Sequence, residues 1–181
     1  LIAVGDFGAM VEIRFDGAKL LAAPTQRSLR DGVAANGQLL IVGAEGQILR
    51  GPIEQLESSA VTGVGDLWSV AGTPSDAIAV GEGGAILRFV GGRIERLRCG
   101  SELTLRAVVR VGEVAWAVGD EGTIVRILGN DCTEERHEGP ALHAVGLGPE
   151  GRLLAGGDDG VVLVRGEDGV WTREDVDVGS A

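Results

Sequence analysis

The sequence predicts an all-β protein, a five-bladed β-propeller of 38-residue, four-stranded antiparallel blades, and three observations support this. A glycine pair, G-x-x-G, recurs every 38 residues, beginning at Gly5, Gly43, Gly81, Gly119 and Gly157. Strand-length apolar segments bounded by turn residues fill each interval, and no segment has the periodicity of a capped helix. A fixed period in this range is typical of stacked or circular repeats. Because the repeat runs through the whole chain, we predict a single domain, residues 1–181.

Each repeat divides into four strand segments, named A to D from the inside of a blade to its outside. The B and C segments are apolar on both faces, as expected of strands that pack between neighbouring sheets. The B segments are Ile2–Val4, Leu39–Val42, Ala77–Val80, Val114–Val118 and Leu153–Ala155. The C segments are Ile48–Leu49, Ile86–Leu87, Ile124–Val125 and Val161–Leu163.

The D segments are polar, at 93–99, 132–138 and 170–176. Charged side chains suit a solvent-facing edge strand because they discourage edge-to-edge pairing. The B–C connection carries the glycine pair and predicts a tight hairpin in which the glycines adopt positive φ. A parallel β-helix is the alternative architecture, but it would not need a polar strand once per repeat, whereas a four-stranded propeller blade would.

Four repeats carry an A segment, and the first repeat lacks one. The A segments are Ser28–Val33, Asp66–Val70, Thr104–Val108 and Ala141–Val145. We expect a five-bladed ring whose first blade closes imperfectly, either with three strands or with Val176–Ala181 as the fourth. Two alternatives stay open: the chain is a piece of something larger, or another chain donates the strand by β-augmentation.

Composition excludes several classes of partner. The net charge of −11 argues against nucleic acid and anionic membranes, because phosphate binding needs a basic face. No apolar run approaches the roughly 20 residues of a membrane helix, so we predict no membrane insertion. The chain has one lysine and fifteen arginines, typical of GC-rich bacterial genomes, and no Met precedes Leu1, which suggests a processed or trimmed product. We favour a secreted or cell-surface bacterial protein.

Motifs for catalysis and cofactors are missing from the sequence. It contains no G-x-S-x-G, H-E-x-x-H or P-loop, and the inner segments carry Asp31 and Asp66 as their acids. Acidic residues follow the first glycine of four turns and are interpreted as solvated hairpin residues, too far apart to share a cation: Asp6, Glu82, Asp120 and Asp158. We predict no enzyme activity, no cofactor and no metal site.

The two cysteines are predicted not to form a disulfide. Cys99 ends one D segment and Cys132 begins the next, so the repeat register places them on neighbouring units at opposite ends. A bridge requires Cα atoms within about 7 Å. Two distant cysteines also offer too few ligands for a metal.

Residues 114–126 read V-A-W-A-V-G-D-E-G-T-I-V-R and resemble the V-W-A-V-G-D-G-G-T-I-L repeats of secreted or surface propeller-like proteins of myxobacteria. They are also similar to photosystem-II-assembly-factor-type and Asp-box propellers, whose blades end in D-G-x-x-W. Here that ending is kept only at 16–17 and 168–171, and no repeat holds a complete Asp-box. The resemblance implies a propeller fold and no sialidase activity. It does not specify a function, because propellers serve many.

Each A segment contains a leucine, which begins an L-x-x-V motif in the last three segments. The position after this leucine holds large, polar-tipped residues: Arg30, Trp68, Arg106 and His143. Because they alternate with leucines, we predict that they point to the opposite face of the innermost strand, around the axis. Arginines can bind a carboxylate by paired hydrogen bonds, and tryptophan can stack on a sugar. The alternative is that these side chains fill the channel, with the arginines paired to local carboxylates.

Other departures from the repeat are interpreted as structural. Trp116 occupies a core position and is predicted to pack. Arg50, Arg88 and Arg126 recur in register and are predicted to pair with acidic turns or D strands, while His137 is predicted to be solvated.

The sequence therefore predicts a non-enzymatic ligand-recognition module with an axial binding face for a small molecule, a glycan or a protein. A multivalent carbohydrate-binding lectin is one alternative, ranked lower because only the glycines and acidic turns recur in the blades. A protein–protein interaction or assembly scaffold, using the acidic rim or the incomplete first blade, is another. A glycosidase ranks last because the loops are short.

Overall fold

The computed structural model describes residues 1–100, 102–136 and 138–174, which form nineteen β-strands in five antiparallel sheets. These sheets are blades 1 to 5. Blade 1 holds β1 (Ile2–Val4), β2 (Met10–Arg14) and β3 (Gly17–Leu21). Blade 2 holds β4 (Leu29–Ala35), β5 (Gln38–Gly43), β6 (Gln47–Pro52) and β7 (Glu57–Ala60). Blade 3 holds β8 (Leu67–Thr73), β9 (Asp76–Gly81), β10 (Ile86–Val90) and β11 (Arg93–Leu97). Blade 4 holds β12 (Leu105–Val111), β13 (Val114–Gly119), β14 (Thr123–Leu128) and β15 (Asp131–Arg136). Blade 5 holds β16 (Leu142–Leu147), β17 (Leu153–Gly157), β18 (Val162–Arg165) and β19 (Trp171–Glu174).

The predicted A-to-D order is confirmed in blades 2 to 5, where four consecutive strands pair in sequence. Blade 1 has three strands in the described part of the chain, with β1 at its edge, as the missing A segment predicts. In blades 2 to 4 the B and C strands are buried on both faces because each lies between two neighbouring blades. Leu49, Leu87 and Val125, for example, are fully buried.

Apolar side chains form a hydrophobic cluster at each junction between successive blades, from blade 1 to blade 5. Within the described residues, no cluster and no strand pairing joins blade 5 back to blade 1. The predicted closing segment, Val176–Ala181, lies outside the described residues. The structure therefore describes an arc of five blades, and ring closure stays a prediction.

The face of blade 1 that points away from blade 2 is exposed. Ile13 is 41% exposed, whereas Phe89 and Ile127, at the same position of blades 3 and 4, are 0% and 1% exposed. In the later blades this position is buried against the preceding blade. Blade 1 has no such neighbour among the described residues.

Cys99 and Cys132 form a disulfide with a Cα–Cα distance of 5.6 Å, so the prediction of no bridge is wrong. The repeat register describes strand positions, but Cys99 lies beyond the end of β11, in the connection to blade 4, where that register no longer applies. Cys132 pairs with Ile127, whose side chain faces blade 3. Both cysteines pack against the hydrophobic cluster between blades 3 and 4, which brings them together.

The turn at each glycine pair is a short 3₁₀ turn. Both glycines were predicted to adopt positive φ, and this prediction holds for the second glycine of the pair but not for the first. The second glycine has positive φ, for example 68° at Gly46. The first glycine does not, since Gly81 is extended with φ −171°. It is required for a different reason: a Cβ at Gly81 would overlap the backbone carbonyl oxygen of Asp66, just before the inner strand. Close approach of backbone is a second circumstance that selects glycine.

Candidate functional site

The four predicted site residues share a structural feature that the alternation of apolar and polar residues along the inner strands does not reveal. In each inner strand the register of pairing shifts across this residue, so each occupies a β-bulge. A bulge leaves one residue unpaired and redirects its side chain. We name these residues the bulge row: Arg30, Trp68, Arg106 and His143. Because inner strands of successive blades lie side by side, the bulge row follows the inner rim of the arc.

Arg30 and Trp68 are the members of the bulge row that contact each other. The Arg30 guanidinium carbon lies 4.7 Å from the centroid of the Trp68 ring, within cation–π range. Arg30 also reaches Asp6 of blade 1 at 3.5 Å and Asp66 of blade 3 at 3.4 Å, and its side chain is 31% exposed. These distances are long for ion pairs, so the guanidinium keeps donors for another acceptor.

Arg106 and His143 bind carboxylates of their own blades. Arg106 Nε donates to Asp120 Oδ1 at 2.6 Å, and His143 Nε2 lies 2.7 Å from Asp158 Oδ1. In blades 4 and 5 the bulge residue therefore contacts the acidic turn residue of its own blade, although the two sets were predicted separately from the sequence. The signal for this was present, because the bulge residue and the acidic turn residue recur at nearly constant separation, 14 and 15 residues in these blades.

The acids of the inner strands hold neighbouring blades together. Asp31 Oδ2 accepts hydrogen bonds from Ser69 Oγ at 3.0 Å and from the Val70 amide at 2.9 Å, which links blade 2 to blade 3. Asp66 Oδ1 accepts from the Glu45 amide at 3.0 Å. Both carboxylates are thus occupied by structural contacts.

The arginines that recur in the C strands behave differently from one another. Arg50 donates to the Gly92 carbonyl of the next blade at 3.1 Å, and Arg88 donates to Asn130 of the next blade. Arg126 instead lies over the ring of Trp116, with its guanidinium carbon 6.0 Å from the ring centroid. The predicted packing of Trp116 is observed, since it is 4% exposed and belongs to the cluster between blades 4 and 5.

Arg110 lies near the C-terminal end of β12, the inner strand of blade 4. Its Nη2 donates a hydrogen bond to Oδ2 of Asp76 in blade 3, at 2.7 Å. This hydrogen bond lowers the pKa of Asp76 and raises the pKa of Arg110.

Among the described residues, no group of three or more His, Cys, Asp or Glu side chains is placed to hold a metal ion, and no helix is long and apolar enough to cross a membrane. His137 lies outside the described residues.

The open edge of β1 borders a groove of about 340 Å³ between blades 1 and 2. Its lining is mostly apolar, with Ile2, Val4, Val33 and Ile41 among the residues that face it. Neighbouring residues of a strand direct their amides to opposite sides. Because Leu1 and Gly5 bond to the β2 side, the amides of Ile2, Val4 and Asp6 point toward the open edge.

Comparison by sequence finds no matching family model and no matching curated protein. The resemblance to myxobacterial repeats therefore stays a prediction.

Comparison by structure finds solved β-propellers. YCF48 from Cyanidioschyzon merolae matches with a TM-score of 0.67 and 19% identity, over 86% of this chain and 58% of that one. A structure of YCF48 bound to D1 peptide matches with a TM-score of 0.66 and 16% identity, over 83% of this chain and 56% of that one. This chain thus spans less than two thirds of the length of these neighbours. At such identities the likeness shows the fold alone.

Proposed function

We propose that this chain is a non-enzymatic protein-recognition module, and that an extended segment of a partner protein binds as the inner strand of blade 1. Of the functions considered in the sequence analysis, we therefore prefer the protein–protein interaction scaffold to the module with an axial ligand site. The observation that carries the proposal is Gly5.

Neither backbone conformation nor a close contact with a described residue requires glycine at position 5. At Gly43, Gly81, Gly119 and Gly157, a Cβ would overlap the carbonyl oxygen of the residue just before the inner strand. At Gly5 the nearest atom to an added Cβ is the Ala9 Cβ at 4.0 Å, which is ordinary contact, and φ is −169°. Among the described residues, none occupies here the space that the other four blades fill with an inner strand. A fourth strand added beside β1 would restore the close backbone approach that requires glycine.

The chemistry of the segment follows from the blades that already have an inner strand. In blades 3 and 4 an L-x-x-V motif buries the leucine completely, at Leu67 and Leu105, and most of the valine, at Val70 and Val108. Blade 2 has Gly32 at the valine position. The apolar groove beside β1 suits the same pattern. Main-chain hydrogen bonds give such strand addition its affinity, and alternate side chains in pockets give it specificity. That YCF48, a structural neighbour, has been solved with a bound peptide supports a peptide partner.

The test is binding of a synthetic peptide, Thr104–Val111 of this chain, which has the sequence of an existing inner strand. We expect saturable binding by isothermal titration calorimetry, with a dissociation constant in roughly the micromolar range. A scrambled peptide of the same composition controls for attraction between its two arginines and the acidic protein.

The variant Gly5→Val sharpens the test. Valine adopts extended backbone readily, and the nearest described atom to its Cβ is the Ala9 Cβ at 4.0 Å. The unfolding free energy of the variant should therefore differ from that of the original chain by less than about 0.5 kcal/mol. The valine side chain would collide with the carbonyl of an added strand, so peptide binding should be lost. Binding that is absent in the original chain, or unaffected by Gly5→Val, would refute strand addition.

The bulge row is a second candidate site, for a small anionic ligand or glycan, favoured by the long ion-pair distances of Arg30. Replacing Arg30 and Arg106 with alanine should remove binding while lowering stability by no more than about 1 kcal/mol for each exposed ion pair lost. A thermal-shift panel of sugars and anionic metabolites measures both quantities. A compound that binds the double variant as well as it binds the original chain does not use the bulge row.

We also propose that the protein works in an oxidising compartment, as a secreted or cell-surface protein. The Cys99–Cys132 disulfide supports this, because structural disulfides persist mainly in such compartments.

A further inference from the structure

The cleft between blades 4 and 5 contains a cavity of about 520 Å³, distinct from both sites above. It is lined by the turn that joins β12 to β13, the turn that joins β16 to β17, and the end of β18. The bulge row lies at the other end of the inner strands, beside the glycine-pair turns. Three arginines line this one cavity: Arg126, Arg152 and Arg165.

Arg165 occupies a position that blades 1, 3 and 4 fill with a large apolar residue, namely Ile13, Phe89 and Ile127, and that blade 2 fills with a glycine. It pairs with Trp171 across β18 and β19, as Ile127 pairs with Cys132 and Phe89 pairs with Ile94. Phe89 and Ile127 are buried in the hydrophobic clusters of their blades. The shared fold therefore does not explain an arginine at this position.

Trp116 holds the guanidinium groups in place. The guanidinium carbons of Arg165 and Arg126 lie 4.3 Å and 6.0 Å from the centroid of its ring, and Trp171 packs edge-on with ring centroids 5.9 Å apart. Stacking on an aromatic ring restrains arginine while leaving the donors at the edge of its guanidinium free to bind.

The positive charges in this cavity are not neutralised by a salt bridge within the described part of the chain. Arg50 and Arg88, at the position of Arg126 in blades 2 and 3, donate to the following blade. Arg126, Arg152 and Arg165 have no such acceptor among the described residues. Arg165 Nε is buried without an acceptor. Glu150 and Glu167 also line the cavity but form no salt bridge with these arginines.

We propose that this cleft binds an oxyanion, a carboxylate or a phosphate group of a ligand, through Arg126 and Arg165 on their Trp116 support, with Arg152 at the mouth. Planar guanidinium groups bind both kinds of oxyanion by paired, charge-assisted hydrogen bonds. An anion would supply the acceptors that the described residues do not. Such a site is notable in a chain whose net charge is −11.

The experiment is a thermal-shift and calorimetric titration of the whole chain with citrate and with inorganic phosphate, against sodium chloride at matched ionic strength. We expect one or both anions to raise the melting temperature by about 3 °C or more above the chloride control. Citrate alone would assign a carboxylate ligand, and inorganic phosphate alone a phosphate ligand. A response to both would assign an oxyanion site without preference, and each of these outcomes supports the site.

The variant Arg165→Ile gives this position the residue that blade 4 has there, so the melting temperature in chloride should be unchanged or higher. Anion affinity should fall at least tenfold. Arg126→Met is the second variant and should show the same loss. Arg88→Met is the matched control, an equivalent arginine outside the cleft, and should bind as the original chain does. No shift beyond chloride, or unchanged affinity in both cleft variants, overturns the proposal.

Discussion

Removing the Cys99–Cys132 disulfide is expected to lower the unfolding free energy by about 3–4 kcal/mol, the largest single effect foreseen for this chain. The bridge closes a loop with a sequence separation of 33, and a loop of this length restricts the unfolded chain strongly. It also ties blade 3 to the outer strand β15 of blade 4. Since repeat proteins are held together by contacts between neighbouring repeats, the loss should weaken this junction most.

Urea denaturation measures this effect in three samples: the oxidised chain, the reduced chain, and the double variant Cys99→Ala and Cys132→Ala. Alanine keeps part of the apolar contact that both cysteines make with the cluster between blades 3 and 4. Reductant should destabilise the original chain and leave the double variant unchanged. A midpoint that hardly moves on reduction would show that the bridge contributes little.

Gly81→Ala is expected to destabilise the chain by about 1–3 kcal/mol, whereas Gly5→Ala is expected to be neutral within about 0.5 kcal/mol. Both positions have extended φ, so the difference is not backbone strain. It arises because the added methyl group at Gly81 overlaps the Asp66 carbonyl, a backbone atom that cannot move without displacing β8. At Gly5 the nearest described atom to the added methyl group is the Ala9 Cβ, at 4.0 Å.

The pair of variants is its own control, since the motif and the chemical change are the same in both. Thermal and urea unfolding of the two proteins should separate clearly. Equal effects at the two positions would mean that blade 1 already holds an inner strand, or that the glycine serves some purpose other than close approach.

The strands of this fold were predictable from the sequence, because burial between blades imposes apolar residues on both faces of the B and C strands. The number of inner strands among the described residues was predictable in the same way, since four A segments accompany the five glycine pairs. These features follow from local pattern and from the period.

Other features depended on geometry that a repeat register does not contain. The bulge at Trp68 was hidden, because an unpaired residue shifts the alternation that a sequence pattern assumes. The disulfide was missed because Cys99 lies in a connection rather than a strand. The position of Arg165 was visible as a departure from the repeat, but only the packing of Trp116 and Trp171 shows that a cavity lies beside it.

Hydrogen–deuterium exchange of the β1 amides, with and without the Thr104–Val111 peptide, tests the open first blade most directly. The amides of Val4 and Asp6 point toward the open edge and should exchange quickly in the free chain. Saturating peptide should slow their exchange at least tenfold in the original chain and leave it unchanged in Gly5→Val. Bound peptide that protects the bulge row instead, with Val4 and Asp6 unaffected, would contradict strand addition at blade 1.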